Sequence, residues 1–300
     1  MSLDFPLLVW SRNFCFFSVS EGGKGPCFCC VFCPLSREGN SGLHSTPSNY
    51  SSFYGIQLEE GTDENDPGSL ARYGVLATVL QTRGRYEEAE KISRRVLEGR
   101  ENVLGPDHID TLASVSNLAL VLGKLRKYNE AEGLNRRAFE KRQEILGPRN
   151  IDTLASLSNL SLSLRDLGRY DEAETLCRRA LEGREEVLGL EHPDTLNSVS
   201  ALVWILGVLG RHDEGERASW RVLSARRRVL GPGHHDTLSS LYSHGVTLRG
   251  LGRYTEAEKF HRQALEGREK KLGLEHPDTL YSVNGWAMLL VELGKYGEAE

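Results

Sequence analysis

At 300 residues, with a formal net charge of −5 and a pI near 6.0, the chain lacks the basic surplus that general nucleic-acid binding requires. Hydrophobic residues make up 39% and mean hydropathy is −0.40, as in water-soluble proteins. The longest nearly apolar stretch, residues 201–209, falls far short of the roughly 18–20 residues of a membrane span, so neither nucleic acid nor membrane is an expected partner.

Residues 1–68 read as a segment apart. Phe5, Leu7, Leu8, Val9, Trp10, Phe14, Phe16 and Phe17 follow no clean period, and Asp4 sits where a signal peptide carries positive charge. Gly, Ser, Pro and Cys then dominate, followed by the acidic run from Glu59 to Asp66, a composition expected of a disordered or mispredicted stretch. Five of the six cysteines (Cys15, Cys27, Cys29, Cys30 and Cys33) crowd this segment, whereas disulfide frameworks spread their cysteines along the chain. A reduced, cytoplasmic setting is therefore expected. Four thiols within seven residues suit a soft metal or acylation, but no second spaced pair follows as in a zinc site. No metal or other cofactor is predicted.

From residue 69 onward the chain repeats itself. Gly168-Arg169-Tyr170-Asp171-Glu172-Ala173-Glu174 recurs in six versions, whose third position is Tyr86, Tyr128, Tyr170, His212, Tyr254 or Tyr296, always 42 residues from the next. Such a fixed period marks stacked supersecondary units. Boundaries fall at about 69–107, 108–149, 150–191, 192–233 and 234–275, with a shortened sixth copy at 276–300. Within each unit, Leu112, Val115, Leu118, Ala119, Leu122 and Leu125 show the spacing of one helical face, repeated by Leu154, Leu157, Leu160, Leu164 and Leu167. Asp110, Asp152, Asp194, Asp236 and Asp278 precede these first helices as expected N-caps, with Pro193 and Pro277 ahead of the cap. Gly84, Gly168, Gly210 and Gly252 are expected to end the first helices. The second helix opens on acids suited to its positive end and buries Ala173, Leu176, Ala180, Leu181, Val187 and Leu188. Arg178, Arg179 and Arg184 are expected on its other faces, within reach of glutamates. Ala119 and Ala173 mark close helix approaches, kept small by Gly245 and Gly215 elsewhere, and Tyr170 is expected to close the turn against its own repeat.

Asn117-Leu118-Ala119, the recurring Gly-Arg-Tyr motif, Arg178-Arg179-Ala180-Leu181-Glu182, Val187-Leu188-Gly189 and His192-Pro193-Asp194-Thr195-Leu196 resemble the tetratricopeptide repeat in the 42-residue form of kinesin light chains. The likeness covers residues 69–300 and implies an all-α fold, a right-handed α-solenoid of antiparallel helix pairs. Near-identical repeats of this kind also look like those of fungal proteins in which they follow a nucleotide-binding signalling domain. No Gly-x-x-x-x-Gly-Lys-Ser/Thr loop occurs here. Arg83 replaces Leu in the first repeat, as a polar capping unit would. The fourth departs at His212, Gly215 and Trp220, and the sixth stops before its second helix, so a longer array is expected.

In this family the first helices line the concave face. The helical period places there Ala113, Ser116, Asn117 and Lys124 in repeat two, and Ala155, Ser158, Asn159 and Arg165 in repeat three. Asn197 and Trp204 follow in repeat four, Tyr242 and Arg249 in repeat five, and Tyr281 in repeat six. Asn117 and Asn159 each offer a donor and an acceptor to an extended peptide, a use the resemblance supports. Trp204, Tyr242 and Tyr281 serve equally as anchors or as core. The basic pairs of a carboxylate-tail clamp are missing, since the relevant position is Ser or Tyr. His192-Pro193-Asp194 and His234-His235-Asp236 recur at the repeat period, which assigns them to turns instead of to chaperone or metal chemistry. No nucleophile–base constellation points to catalysis. The expected function is a non-catalytic scaffold that binds a protein or peptide partner; the alternative is the sensing arm of a multidomain nucleotide-binding signalling protein.

Overall fold

The computed structural model describes residues 66–299, and the N-terminal cysteine cluster lies outside them. Among the described residues the chain forms twelve helices and no strand. They are α1 (Pro67–Thr82), α2 (Tyr86–Leu104), α3 (Ile109–Lys124), α4 (Tyr128–Leu146), α5 (Ile151–Asp166), α6 (Tyr170–Leu188), α7 (Pro193–Val208), α8 (His212–Leu230), α9 (His235–Gly250), α10 (Tyr254–Leu272), α11 (Pro277–Glu292) and α12 (Tyr296–Ala299). First helices are 16 residues long and second helices 19, from α1 to α11. Each helix packs on the one before and after it, and from α3 onward each first helix also touches the next first helix. The result is an α-solenoid of antiparallel pairs whose first helices share one surface.

The first helix forms because its apolar positions keep the helical period: Leu112, Val115, Leu118 and Leu122 are all buried, against Ala131 and Ala138 of α4. Its N-cap sits two residues earlier than the expected aspartate. His108, Asn150, His192, His234 and His276 have extended backbones, and each side chain accepts from the amide of the following Asp, at 2.8–3.2 Å. The cap residue must leave helical geometry while the proline after it can enter the helix, so Pro193 and Pro277 occupy the first helical position, where a missing N–H costs nothing. The aspartates fall in the first turn. In the first repeat Asp66 holds the cap position and accepts from Ser69 N at 3.0 Å.

The turn between paired helices depends on a left-handed residue. Gly168 has φ 79°, with Gly168 N donating to Arg165 O and Arg169 N to Leu164 O, the paired bonds that close a helix C-terminus. Repeat two has Arg126 there, at φ 63°. The second helix then starts without a side-chain cap. Instead the arginine before it clips back onto the helix, as Arg169 does on Glu172 at 2.6 Å. Ala173 and Ala180 are fully buried, but Val187 and its counterpart Ile145, at the C-terminal ends of their helices, are 44% and 50% exposed.

Arg178 meets Glu174 and, in the next repeat, Glu214. This ion-pair ladder recurs as Arg94 with Glu90 and Glu130, and as Arg262 with Glu258. Arg184 departs from expectation. It is 8% exposed and touches no glutamate; its Nη1 donates to Ser198 Oγ at 2.5 Å and to the carbonyl of Asp194 at 3.3 Å. Arg142, Arg226 and Arg268 are buried in the same way, each bonded to a serine 14 residues on, in the next first helix. A buried guanidinium that donates to oxygens of the next first helix therefore fastens one repeat to its successor.

Candidate functional site

A cavity of about 790 Å³ lies on the face formed by α5, α7 and α9. Trp204 is 42% exposed at its wall, 6.1 Å from the Tyr170 ring between centroids, with the Arg165 guanidinium 5.0 Å from its own ring centre. Tyr170 therefore packs toward the next repeat and not only against its own turn. Second helices reach the cavity too, through Tyr170, Cys177, Arg184, His212 and Tyr254. The helical period singled out first helices alone. The missed signal is that the residue opening each second helix sits beside the end of the next first helix.

Nine of the expected groove residues line this cavity: Ala155, Ser158, Asn159, Arg165, Asn197, Trp204, Tyr242, Arg249 and Tyr281. Ser116, Asn117 and Lys124 on α3 do not. Ser116 is buried; its hydroxyl donates to Leu112 O and accepts from Arg142, so it belongs to the interior. Asn117 is exposed, and Asn159 is half-buried. The Asn159 carboxamide makes no hydrogen bond among the described residues, which leaves it open to a ligand, although its backbone carbonyl receives Asn135 Nδ2 at 3.5 Å.

Several of the others are already engaged. Asn197 Oδ1 accepts from Arg226 Nη2 at 2.7 Å. Arg249 pairs with Glu292 at 3.1 Å, and Arg165 with Asp166 at 2.8 Å. Tyr242 is 7% exposed and packs 4.8 Å from Tyr281 and 4.9 Å from His261, so it is core at the cavity edge. Burial and the neighbouring Tyr281 push its hydroxyl far above the usual tyrosine range. A Cβ on Gly285 would meet the Tyr242 hydroxyl at 2.4 Å, so only glycine leaves room for this stack.

Cys177 donates to Ser198 O at 3.5 Å, and burial pushes its thiol up to about 11, away from nucleophilic reactivity. His212 lies against Gly250 with Nδ1 sealed and unpartnered among the described residues. No cluster of three His, Cys, Asp or Glu able to hold a metal occurs among the described residues, and none of their helices is long and apolar enough to cross a membrane.

Paired antiparallel helices at a fixed period, stacked with first helices on one face, define a helical-repeat protein of the α-solenoid class. Tetratricopeptide repeat models match residues 70–144, 153–194, 205–270 and 241–300, well over half of the chain. The chain belongs to the tetratricopeptide repeat family. No curated protein sequence matches it. Among solved structures it is similar to the nearly identical TPR-like repeats of a protein from Podosopora anserina described as a kinesin light chain. That likeness has a TM-score of 0.59 and 22% identity, covering 70% of this chain and 99% of that one. BtubC from P. vanneervenii matches with TM-score 0.57 and 21% identity, over 77% of this chain and 87% of that one. A signal transduction ATPase with a tetratricopeptide repeat sensor from Pyrococcus horikoshii matches with TM-score 0.59 and 14% identity, over 80% of this chain but 36% of that one. At these identities the likeness is one of fold.

Proposed function

We propose that the chain is a non-catalytic adaptor that receives an extended segment of a protein partner along the concave face of repeats three to five. The observation that carries this reading is the cavity itself. It runs across three successive first helices and presents an exposed tryptophan, an unbonded asparagine and apolar walls in place of reactive groups. Large, stiff aromatic side chains supply contact area at little entropic cost, and asparagine can bond a peptide backbone as both donor and acceptor. A cytoplasmic location fits the same reading. The sensor-arm alternative stands second, because its support is the fold likeness to the P. horikoshii ATPase alone.

Peptides selected on the wild-type protein from a random library provide the test. Trp204→Ala combined with Asn159→Ala should weaken their binding at least about tenfold while circular dichroism stays unchanged. Binding that survives the double substitution would place the interaction elsewhere.

A further inference from the structure

The ion-pair ladder on the second helices has one broken rung. Where repeats one and two meet, Arg94 and Lys127 share Glu90 and Glu130. Where three and four meet, Arg178 and Arg211 share Glu174 and Glu214. Two cations serve two carboxylates, one from the middle of a second helix and one from the turn that opens the next. Where repeats four and five meet, the mid-helix position is Trp220. Glu216 and Glu256 are still there, but among the described residues Arg253 alone bonds them, through Nη1 to Glu216 and through Nε and Nη2 to Glu256. Lys259 acts on Glu256 through space and pairs with neither carboxylate among the described residues.

This junction presents an aromatic face where the others present a cation. Trp220 is half-exposed; it packs on the buried His244, and Phe260 of α10 meets it nearly edge-on at 83°. The i, i+4 spacing puts Glu216 beside it on α8. The reach of Arg178 to Glu214 shows that the same position also faces the carboxylate 36 residues on, here Glu256. Both glutamates act through space on His244, which places them around the base of the indole. None of these residues lines the groove cavity. An indole face beside two carboxylates that share one guanidinium attracts a further cation. A guanidinium fits better than an ammonium, because its planar fork can stack on the ring and bond a carboxylate at once. The chain itself puts arginine at the equivalent positions, Arg94, Arg136, Arg178 and Arg262.

We infer that the surface around Trp220 is a second docking site, outside the groove, for an arginine side chain of a protein partner. Its guanidinium lies on the indole and completes the charge on Glu216 and Glu256, as Arg178 does for Glu174 and Glu214 one repeat earlier. The occupant supplies from outside the cation that the other junctions carry themselves. The site stands apart from the groove reading and shares no residue with it.

The test uses the whole protein and Nα-acetyl-L-arginine amide as probe, read by NMR of the Trp220 and Phe260 ring signals at constant ionic strength. The lysine and citrulline counterparts of the probe are the controls. In the wild type the arginine probe should shift both signals saturably, the lysine probe should bind more weakly, and the uncharged citrulline probe at least about tenfold more weakly. Trp220→Arg, which installs the residue of the other repeats, should remove the Phe260 response by filling the site. Glu216→Gln combined with Glu256→Gln keeps the aromatic surface and should weaken the Trp220 response about tenfold. No saturable shift in the wild type, a lysine or citrulline response equal to that of arginine, a Phe260 response that survives Trp220→Arg, or no loss in the double glutamine variant would each overturn the assignment. Because the probe needs neither the groove nor its peptides, this test and that of the groove are read independently.

Discussion

Repeats two and three (α3 to α6) and repeats four and five (α7 to α10) share a backbone plan and differ in what fills it. Helix lengths are the same in both halves, and so are the left-handed turn and the buried arginine. In the first pair the interior is mostly Leu, Val, Ala and Ser with Phe139 as a buried aromatic, and position 135 or 177 is an Asn or Cys bonded to the next first helix. In the second pair the same positions become Ser219, bonded to the buried His244, and His261. Trp220, 50% exposed, replaces the ladder arginine and packs 5.4 Å from His244 and 6.4 Å from Phe260. What is common to the halves builds the solenoid. What differs puts an aromatic, histidine-rich interior beside the cavity and makes that half sensitive to conditions the other half tolerates.

The largest effect should come from a shared element. Arg268 is 1% exposed and bonds Ser282, Ser239 and the Asp278 carbonyl, so Arg268→Ala strands three buried acceptors and opens a cavity. A loss of about 4 kcal/mol in urea unfolding is expected, in line with removing one partner of a buried charged network. If the cost is below ~1 kcal/mol, the arginine is not what fastens the repeats.

Acidification should separate the halves. His261 is 1% exposed with both ring nitrogens unpartnered among the described residues, and burial, with Arg249 and Arg268 nearby, holds its pKa down at about 4. The unfolded chain would take up a proton near the ordinary histidine value of 6.5, before the folded one does. Stability is therefore full above that pH and falls as pH drops toward 4, by about 3 kcal/mol for this group. His244, also lowered by burial, adds in the same direction. Hydrogen exchange should show α9 to α11 losing protection first, and His261→Asn, which installs the Asn135 residue type, should remove most of the pH dependence.

The period of 42 was legible because packing repeats: Leu112, Leu154, Leu196 and Leu238 hold the same place in successive units and are all buried. Helix starts were misplaced by two residues because Asp followed by Thr looks like a cap. The deciding factor was the extended backbone at His108 and His192, which leaves the proline inside the helix. Arg184 was misread for a related reason. A helix wheel beside many glutamates suggests surface pairing, while burial against Ser198 is a contact between repeats that no single-helix pattern contains. Asn197 looked like a groove residue and does border the cavity, yet its oxygen is spent on Arg226. Periodicity says which way a side chain points but not what is already bonded to it.

Within the groove, the difference between α3 and α5 can be tested directly. Asn159 and Trp204 line the cavity and Asn117 does not. Trp204→Ala should weaken selected peptides about tenfold, or ~1.4 kcal/mol. Asn159→Ala should cost less, and Asn117→Ala should have no measurable effect by fluorescence titration. Equal losses at Asn117 and Asn159 would extend the binding face back into repeat two.

The smallest effect concerns a turn where repeat two differs from every other. Gly84, Gly168, Gly210 and Gly252 all sit at φ 73–79°, and Arg126 is held at 63° with a Cβ that crowds the adjacent carbonyl. The turn keeps its hydrogen bonds, Arg126 N to Gly123 O and Lys127 N to Leu122 O, so the residue has the same left-handed role as the glycines. Arg126→Gly should therefore raise stability by about 1 kcal/mol, partly offset by the greater freedom of glycine in the unfolded chain. The reverse change, Gly168→Arg, should lower it by a similar amount. Urea midpoints of the two variants should move in opposite directions. Movement in the same direction would mean that the left-handed turn is not the quantity the two repeats differ in.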